Sequence, residues 1–217
     1  MVRPLALLAA LSALAVLSPL SARAEGRAGE FDYYVLSLSW SPSWCALEGD
    51  GRDSAQCDGG TGFGWILHGL WPQYEDGGWP QDCEAAEPPP GRAMAEAMAD
   101  IMGTPGLARY QWAKHGSCSG LAPADYFGTA RAAFERVARP ELLRRLGREV
   151  TLPAGLVEEA FLAEDPGLEA DGITITCRDG YIQEARICLT RDLELRTCGD
   201  GVRRDCALTD ARLPPVR

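Results

Sequence analysis

The sequence predicts an α+β fold. Three observations carry this: a strand-like opening, a helical middle, and a close in which strand patterns return with tight turns between them. Tyr33–Trp40 (YYVLSLSW) puts Tyr34, Leu36, Leu38 and Trp40 on one face and Ser37 and Ser39 on the other, the pattern of a half-buried strand. Ser41-Pro42-Ser43 ends it, and the Gly- and Asp-rich stretch 48–61 reads as a loop between Cys45 and Cys57. Residues 64–68 read as a short strand, with Ile66 and His68 on one face and Trp65 and Leu67 on the other. Gly69 permits a bend directly after His68, and Pro72 stops the strand. A histidine at a strand end before a glycine bend can project into a cleft.

Residues 74–90 form a long loop that carries Cys83 and a proline triplet. Met94, Met98 and Ile101 recur at helical spacing in 91–101, as core-facing residues do. Residues 103–106 break the chain, and a helix resumes over 107–115, with Gly116 to end it. Residues 124–138 form a stronger helix with Phe127, Ala130, Phe134 and Val137 as its apolar stripe; 140–146 and 153–163 are helical as well. From Gly172 the period changes, and 173–177, 181–189 and 193–198 read as strands joined by Asp-Gly and Arg-Asp turns. There is no internal repeat and no linker, so residues 25–217 are expected to form one domain.

The first 24 residues read as a leader. Arg3 supplies a positive start, residues 5–20 are an apolar run, and Ala22-Arg23-Ala24 is a cleavage signature. Export and removal of residues 1–24 would leave a secreted or periplasmic protein with no membrane segment. Eight cysteines follow the leader, an even count that reads as four disulfides in an oxidising compartment. No C-x-x-C spacing occurs, which argues against a redox motif or a zinc ribbon. The formal charge is −10; without Arg3 and Arg23, 19 basic residues face 31 acidic ones, near −12. That argues against broad electrostatic capture of nucleic acid. A polyanion is then bound only where a local cationic pocket exists.

Such a pocket is foreshadowed in residues 111–118, QWAKHGSC. They hold Lys114, the single lysine of the sequence, and His115, one of two histidines; His68 is the other. A helix here puts Gln111, Lys114 and His115 on one face. One neutral histidine can take a proton from a hydroxyl nucleophile while a protonated one gives a proton to a leaving oxygen. A lysine can offset charge that builds on a phosphoryl group. RNA brings its own nucleophile, the 2′-hydroxyl. Competing chemistries lack their parts: H-E-x-x-H and Gly-x-Ser-x-Gly are both absent, and His68-Gly69-Leu70 spoils a twin His-x-Ser/Thr pattern.

Residues 65–72 (WILHGLWP) resemble the first active-site motif of the ribonuclease T2 family, and residues 111–118 resemble the second. The opening strand with Trp40, Pro42 and Cys45 is similar to the family's start. The resemblance implies a central antiparallel sheet flanked by helices and stabilised by disulfides. It implies an endoribonuclease that cleaves single-stranded RNA through a 2′,3′-cyclic phosphate, with RNA as partner and neither cofactor nor metal. His115 would be the base toward the 2′-hydroxyl, His68 the acid toward the 5′-oxygen, and Lys114 the stabiliser of the phosphoryl group. Gln111 joins them in the catalytic set. Trp71, Gln73, Tyr110 and Trp112 would bind substrate, Trp71 by stacking on a base. The implied disulfides are Cys83–Cys118, Cys177–Cys206 and Cys188–Cys198, which leaves Cys45–Cys57. The protein is expected to be a monomer.

Two departures from the family pattern matter. Gln111 stands where the second motif usually carries Glu, which should alter the pKa of His115. Tyr110 stands where many members have a third histidine. The alternative reading is a weakly active or inactive homologue that uses the fold as an RNA- or protein-binding scaffold. Gln111 and the acidic surface favour it, and the retained His68, His115 and Lys114 oppose it.

Overall fold

Strand β1 (Tyr33–Trp40) is the axis of the computed structural model, which describes residues 26–217. The leader read in residues 1–24 lies outside the described residues. β1 pairs antiparallel with β2 (Trp65–Gln73) on one side and β5 (Tyr181–Leu189) on the other. β4 (Ile173–Arg178) lies along β5 through the Asp179-Gly180 turn, where φ is 50° and 82°. Two positive φ values are what a tight hairpin turn matching strand twist requires. A ribbon of β3 (Val150–Leu152) and β6 (Ala211–Leu213) joins by one parallel bridge, Tyr181 to Arg212. These two strands have three residues each, too short for any period to reveal them.

One sheet face is covered by helices. These are α2 (Arg92–Glu96), α3 (Ala99–Met102), α4 (Pro105–Lys114), α5 (Pro123–Arg136), α6 (Glu141–Arg144) and α7 (Gly155–Glu164), whereas the short α1 (Ser41–Trp44) follows β1 directly and adds no residue to that core. Leu36, Leu38 and Trp40 of β1 and Ile173, Ile175 and Ile187 of the neighbouring strands pack there with Met102, Phe127, Phe134 and Phe161. Each such side chain contributes about 1.5–3 kcal/mol by leaving water. The stripe expected for α5 is buried at all four positions. The helical reading of 91–101 resolves into α2 and α3, because Met98 (ψ −6°) turns the chain between them.

The other face departs from expectation. β1 is buried on both sides: Tyr33 and Val35 form a second apolar cluster with Cys188, Cys198 and Val202. The segment after β5 supplies the cover. Residues 193–198 are no strand beyond a single Leu189–Leu195 bridge, since β1 and β4 already occupy the two edges of β5. Leu193 turns at φ 66°, and Cys188–Cys198 draws the chain across the sheet. Pro72 does not stop β2, which runs on to Gln73; β2 is an edge strand, where a missing N–H costs little. The loop expected over 48–61 begins as helical turns, Cys45–Gly49, Asp50–Arg52 and Ala55–Cys57.

Four disulfides close the structure: Cys45–Cys57, Cys83–Cys118, Cys177–Cys206 and Cys188–Cys198. Cys83–Cys118 spans 35 residues and ties the long 74–90 loop to the end of α4. Replacing both cysteines by serine is expected to lower stability by about 3 kcal/mol. Urea unfolding at pH 7 checks this, and an unchanged midpoint would contradict it.

Candidate active site

Two bulges aim the site. Ser37 pairs with Gly69 and Leu38 with Leu67, so His68 is an extra residue in the β1–β2 ladder. Thr176 pairs with Glu184 and Cys177 with Ile182, so Gln183 is extra in the β4–β5 ladder. A bulge bends its strand and re-aims side chains. Here His68 from β2 and Gln183 and Glu184 from β5 all line one cleft region, on the sheet face away from the helical core. The bend expected at Gly69 is thus a bulge at His68, with the strand continuing beyond it.

His68 is about one-third exposed, and its Nδ1 is hydrogen-bonded to Glu184 Oε1. Arg186 donates to the other oxygen, Oε2, through Nε at 2.9 Å and Nη2 at 2.7 Å. Glu184 is 1% exposed. Burial alone would raise its pKa, but the bonds and charges of His68 and Arg186 outweigh burial and hold it at about 2.

Helix α4 brings the second group over the sheet edge. Thr104 caps it by accepting from the Leu107 N–H, Pro105 sets its first turn, and it ends at His115. Gln111 is buried and its Oε1 accepts from Trp71 Nε1 at 2.7 Å. Trp71 neighbours both imidazoles, its ring centre 5.3 Å from His68 and 5.2 Å from His115. The Arg186 guanidinium lies 5.3 Å from the same ring. His115 is buried, and its Nδ1 has no hydrogen-bond partner in the protein. Burial, then Lys114, then His68 push its pKa down to about 3. Lys114 makes no ion pair among the described residues and lies 5.9 Å from the Tyr110 ring centre.

Gly69 makes the Trp71–Gln111 bond possible. A Cβ at this position would run into Gln111 Oε1 and Trp71 Nε1, well inside van der Waals contact. Gly69→Ala is therefore expected to displace the indole and lower kcat/KM about tenfold. Steady-state cleavage of a dinucleoside phosphate reads this, and an unchanged value would dissociate Trp71 from function.

Two clefts meet at His68, Tyr110, Gln183 and Glu184. The smaller, about 290 Å³, holds both imidazoles with Lys114, Arg186, Trp71 and Gln73. The larger, about 480 Å³, contains His68 alone of the two and is walled by Trp44, Leu47, Gln56, Ile66, Thr104 and Leu107. Lys114 and Arg186 bring two cations to the cleft that holds both imidazoles, and Arg52 and Arg178 line the larger one. Of the expected substrate contacts, Trp71, Gln73 and Tyr110 line the smaller cleft. Trp112 does not: it is 3% exposed and packed on Tyr126 and Phe127, on the buried side of α4. The cleft also holds residues that no local sequence pattern marks: Trp79, half exposed, with Glu184, Arg186 and Gln183. Among the described residues, the group of His, Cys, Asp and Glu close enough to share an ion is Cys45, Asp50 and Cys57, and both of its sulfurs are in a disulfide.

A cleft of this kind, opening on a helix-flanked antiparallel sheet with four cross-links, places the chain among the disulfide-bonded α+β ribonucleases. The ribonuclease T2 family model matches residues 31–198, and the chain belongs to that family. A ribonuclease of Aeromonas hydrophila is 36% identical over 204 residues, covering 90% of this chain and 91% of the relative. Among solved structures, trichomaglin, described as a novel S-like ribonuclease, superposes with a TM-score of 0.68 at 20% identity, covering 87% of this chain and 100% of that one. RNase NT in complex with 5′-AMP gives 0.61 at 21% identity, covering 86% and 99%. The protein is an endoribonuclease.

Proposed function

We propose that the protein cleaves single-stranded RNA by transesterification, with His115 as base, His68 as acid and Lys114 as the charge that stabilises the phosphoryl group. One observation carries this reading: the two histidines and the single lysine of the chain share one cleft, with Trp71 beside both imidazoles. His115 takes the 2′-hydroxyl proton as the 2′-oxygen attacks phosphorus. The P–O5′ bond breaks, and the departing oxygen receives a proton from His68 Nε2, since Nδ1 is held by Glu184. The products are a 2′,3′-cyclic phosphate and a 5′-hydroxyl. Slow hydrolysis of the ring to a 3′-phosphate reverses the two roles, with water replacing the leaving alcohol.

Charge on the phosphoryl oxygens meets the Lys114 ammonium and the Gln111 amide N–H, whose partner oxygen is fixed by Trp71. Trp71, Gln73, Tyr110 and Trp79 line the cleft where a base would lie, and an aromatic face there supports stacking. The 5′-AMP bound by RNase NT is a ligand of the same chemistry. No step needs a metal or cofactor. The leader read in residues 1–24 supports export, and Lys114 and Arg186 supply positive charge at the cleft of a chain whose net charge is −10.

The test is incubation of the oxidised protein with a short RNA and a DNA of the same sequence, in chelator. Cyclic-phosphate ends by mass on RNA, and intact DNA, are the expected result. Intact RNA with correctly folded, disulfide-bonded protein would overturn the reading in favour of a binding scaffold.

A further inference from the structure

We propose that Glu184 is the positioning residue of His68: from β5 it fixes the imidazole with Nδ1 protonated, so that Nε2 faces the leaving oxygen. The inference rests on the reading of His68 as the acid. It supplies a carboxylate from a strand that neither sequence motif contains, in a site whose second motif carries the neutral Gln111.

The geometry is specific. Glu184 meets His68 with Oε1 and Arg186 with Oε2, so both carboxylate oxygens are engaged and the carboxylate is held in one orientation. It is 1% exposed, and a buried carboxylate persists only when paired. The bulge at Gln183 sets it at the cleft. Glu48, the other carboxylate lining the larger cleft, is committed to Arg52 and Arg178. From α4, Lys114 and His115 face the smaller cleft as a cation and a second imidazole, and neither can orient Nδ1 of His68 as a carboxylate does. A carboxylate on one ring nitrogen fixes the tautomer and orientation of a histidine, which is how such pairs serve proton transfer. Arg186 holds the far side of the carboxylate, so Glu184 cannot rotate away when the proton leaves Nε2.

A role through His68 predicts dependence on the leaving group. Wild type, His68→Ala, Glu184→Gln and Glu184→Asp would be assayed on a dinucleoside phosphate and on a uridine 3′-(4-nitrophenyl phosphate). The nitrophenolate departs without a proton. Glu184→Gln is expected to lose about 10- to 100-fold on the dinucleoside phosphate and less than about threefold on the nitrophenyl ester. Glu184→Asp should recover part of the loss. Equal losses on both substrates, or none, would overturn the role of Glu184. The cleavage reading fails separately, when His68→Ala shows no preference for the activated ester. For a variant that does not fold, ¹⁵N spectra of the wild-type histidine rings decide: a proton on Nδ1 of His68 is expected, and the bare Nδ1 tautomer would refute the proposal.

Discussion

Alanine at His68 or His115 is expected to lower kcat for RNA cleavage by about 10²–10⁴-fold, the span over which a positioned acid or base acts. The two variants should differ in kind. On the proposed mechanism, His115→Ala removes the group that takes the 2′-hydroxyl proton, so its loss should appear on every ester of the 2′-hydroxyl nucleotide. On the same proposal, His68→Ala removes the proton donor to the leaving oxygen, so its loss should shrink as the leaving group improves. KM should move little for His68→Ala, because Lys114, Arg186 and the aromatic walls of the cleft remain. Lys114→Ala should cost about 10²-fold, since the other cation of the cleft, Arg186, is paired with Glu184. Near-UV circular dichroism and absence of free thiols establish that each variant has folded. Full cleavage by the double histidine variant would remove both residues from the chemistry.

The residues at stake were unequally visible in the sequence. His68, His115 and Lys114 were legible because they are rare: two histidines and one lysine in 217 residues, two of the three adjacent on one helix face. Glu184 and Arg186 were not, because nothing marks one carboxylate among 31 acidic residues. They reach His68 through strand register and a bulge, and both are non-local. The same reason hid the second buried face of β1. Alternation reports that Tyr33 and Val35 point away from Leu36, but not that residues 188–202 fold back over them. Trp112 shows the opposite failure. It sits inside a motif, and helix period assigns its neighbours Gln111 and His115 to the cleft while Trp112 turns toward Tyr126 and Phe127. Helix α5 was legible in full because its apolar stripe and its burial are one local fact.

Acid is expected to destabilise the protein through His115. Its folded pKa of about 3 lies below the ordinary 6.5, so between those values the unfolded chain binds a proton that the native state refuses. Stability therefore rises with pH across this window, and is lost on acidification by about 2 kcal/mol at pH 5 and about 4 kcal/mol at pH 3. Glu184 adds in the same direction but lower: its contribution is complete above its ordinary 4.5 and lost as pH falls through about 2. Urea unfolding at pH 7 and pH 5 measures the slope, and His115→Gln should flatten it. An equal slope in that variant would place the acid sensitivity elsewhere. Gln111→Glu keeps an acceptor for Trp71 Nε1 and puts a negative charge one helical turn from His115. It should raise the proton affinity of His115, flatten the stability slope above pH 4, and move the acid limb of kcat/KM to higher pH. On the proposed mechanism, the neutral amide at 111 leaves burial, Lys114 and His68 unopposed in keeping His115 unprotonated in acid. If Gln111→Glu leaves the acid limb in place, burial, Lys114 and His68 set the behaviour of His115 whatever stands at 111, and the exchange of Glu for Gln has another cause.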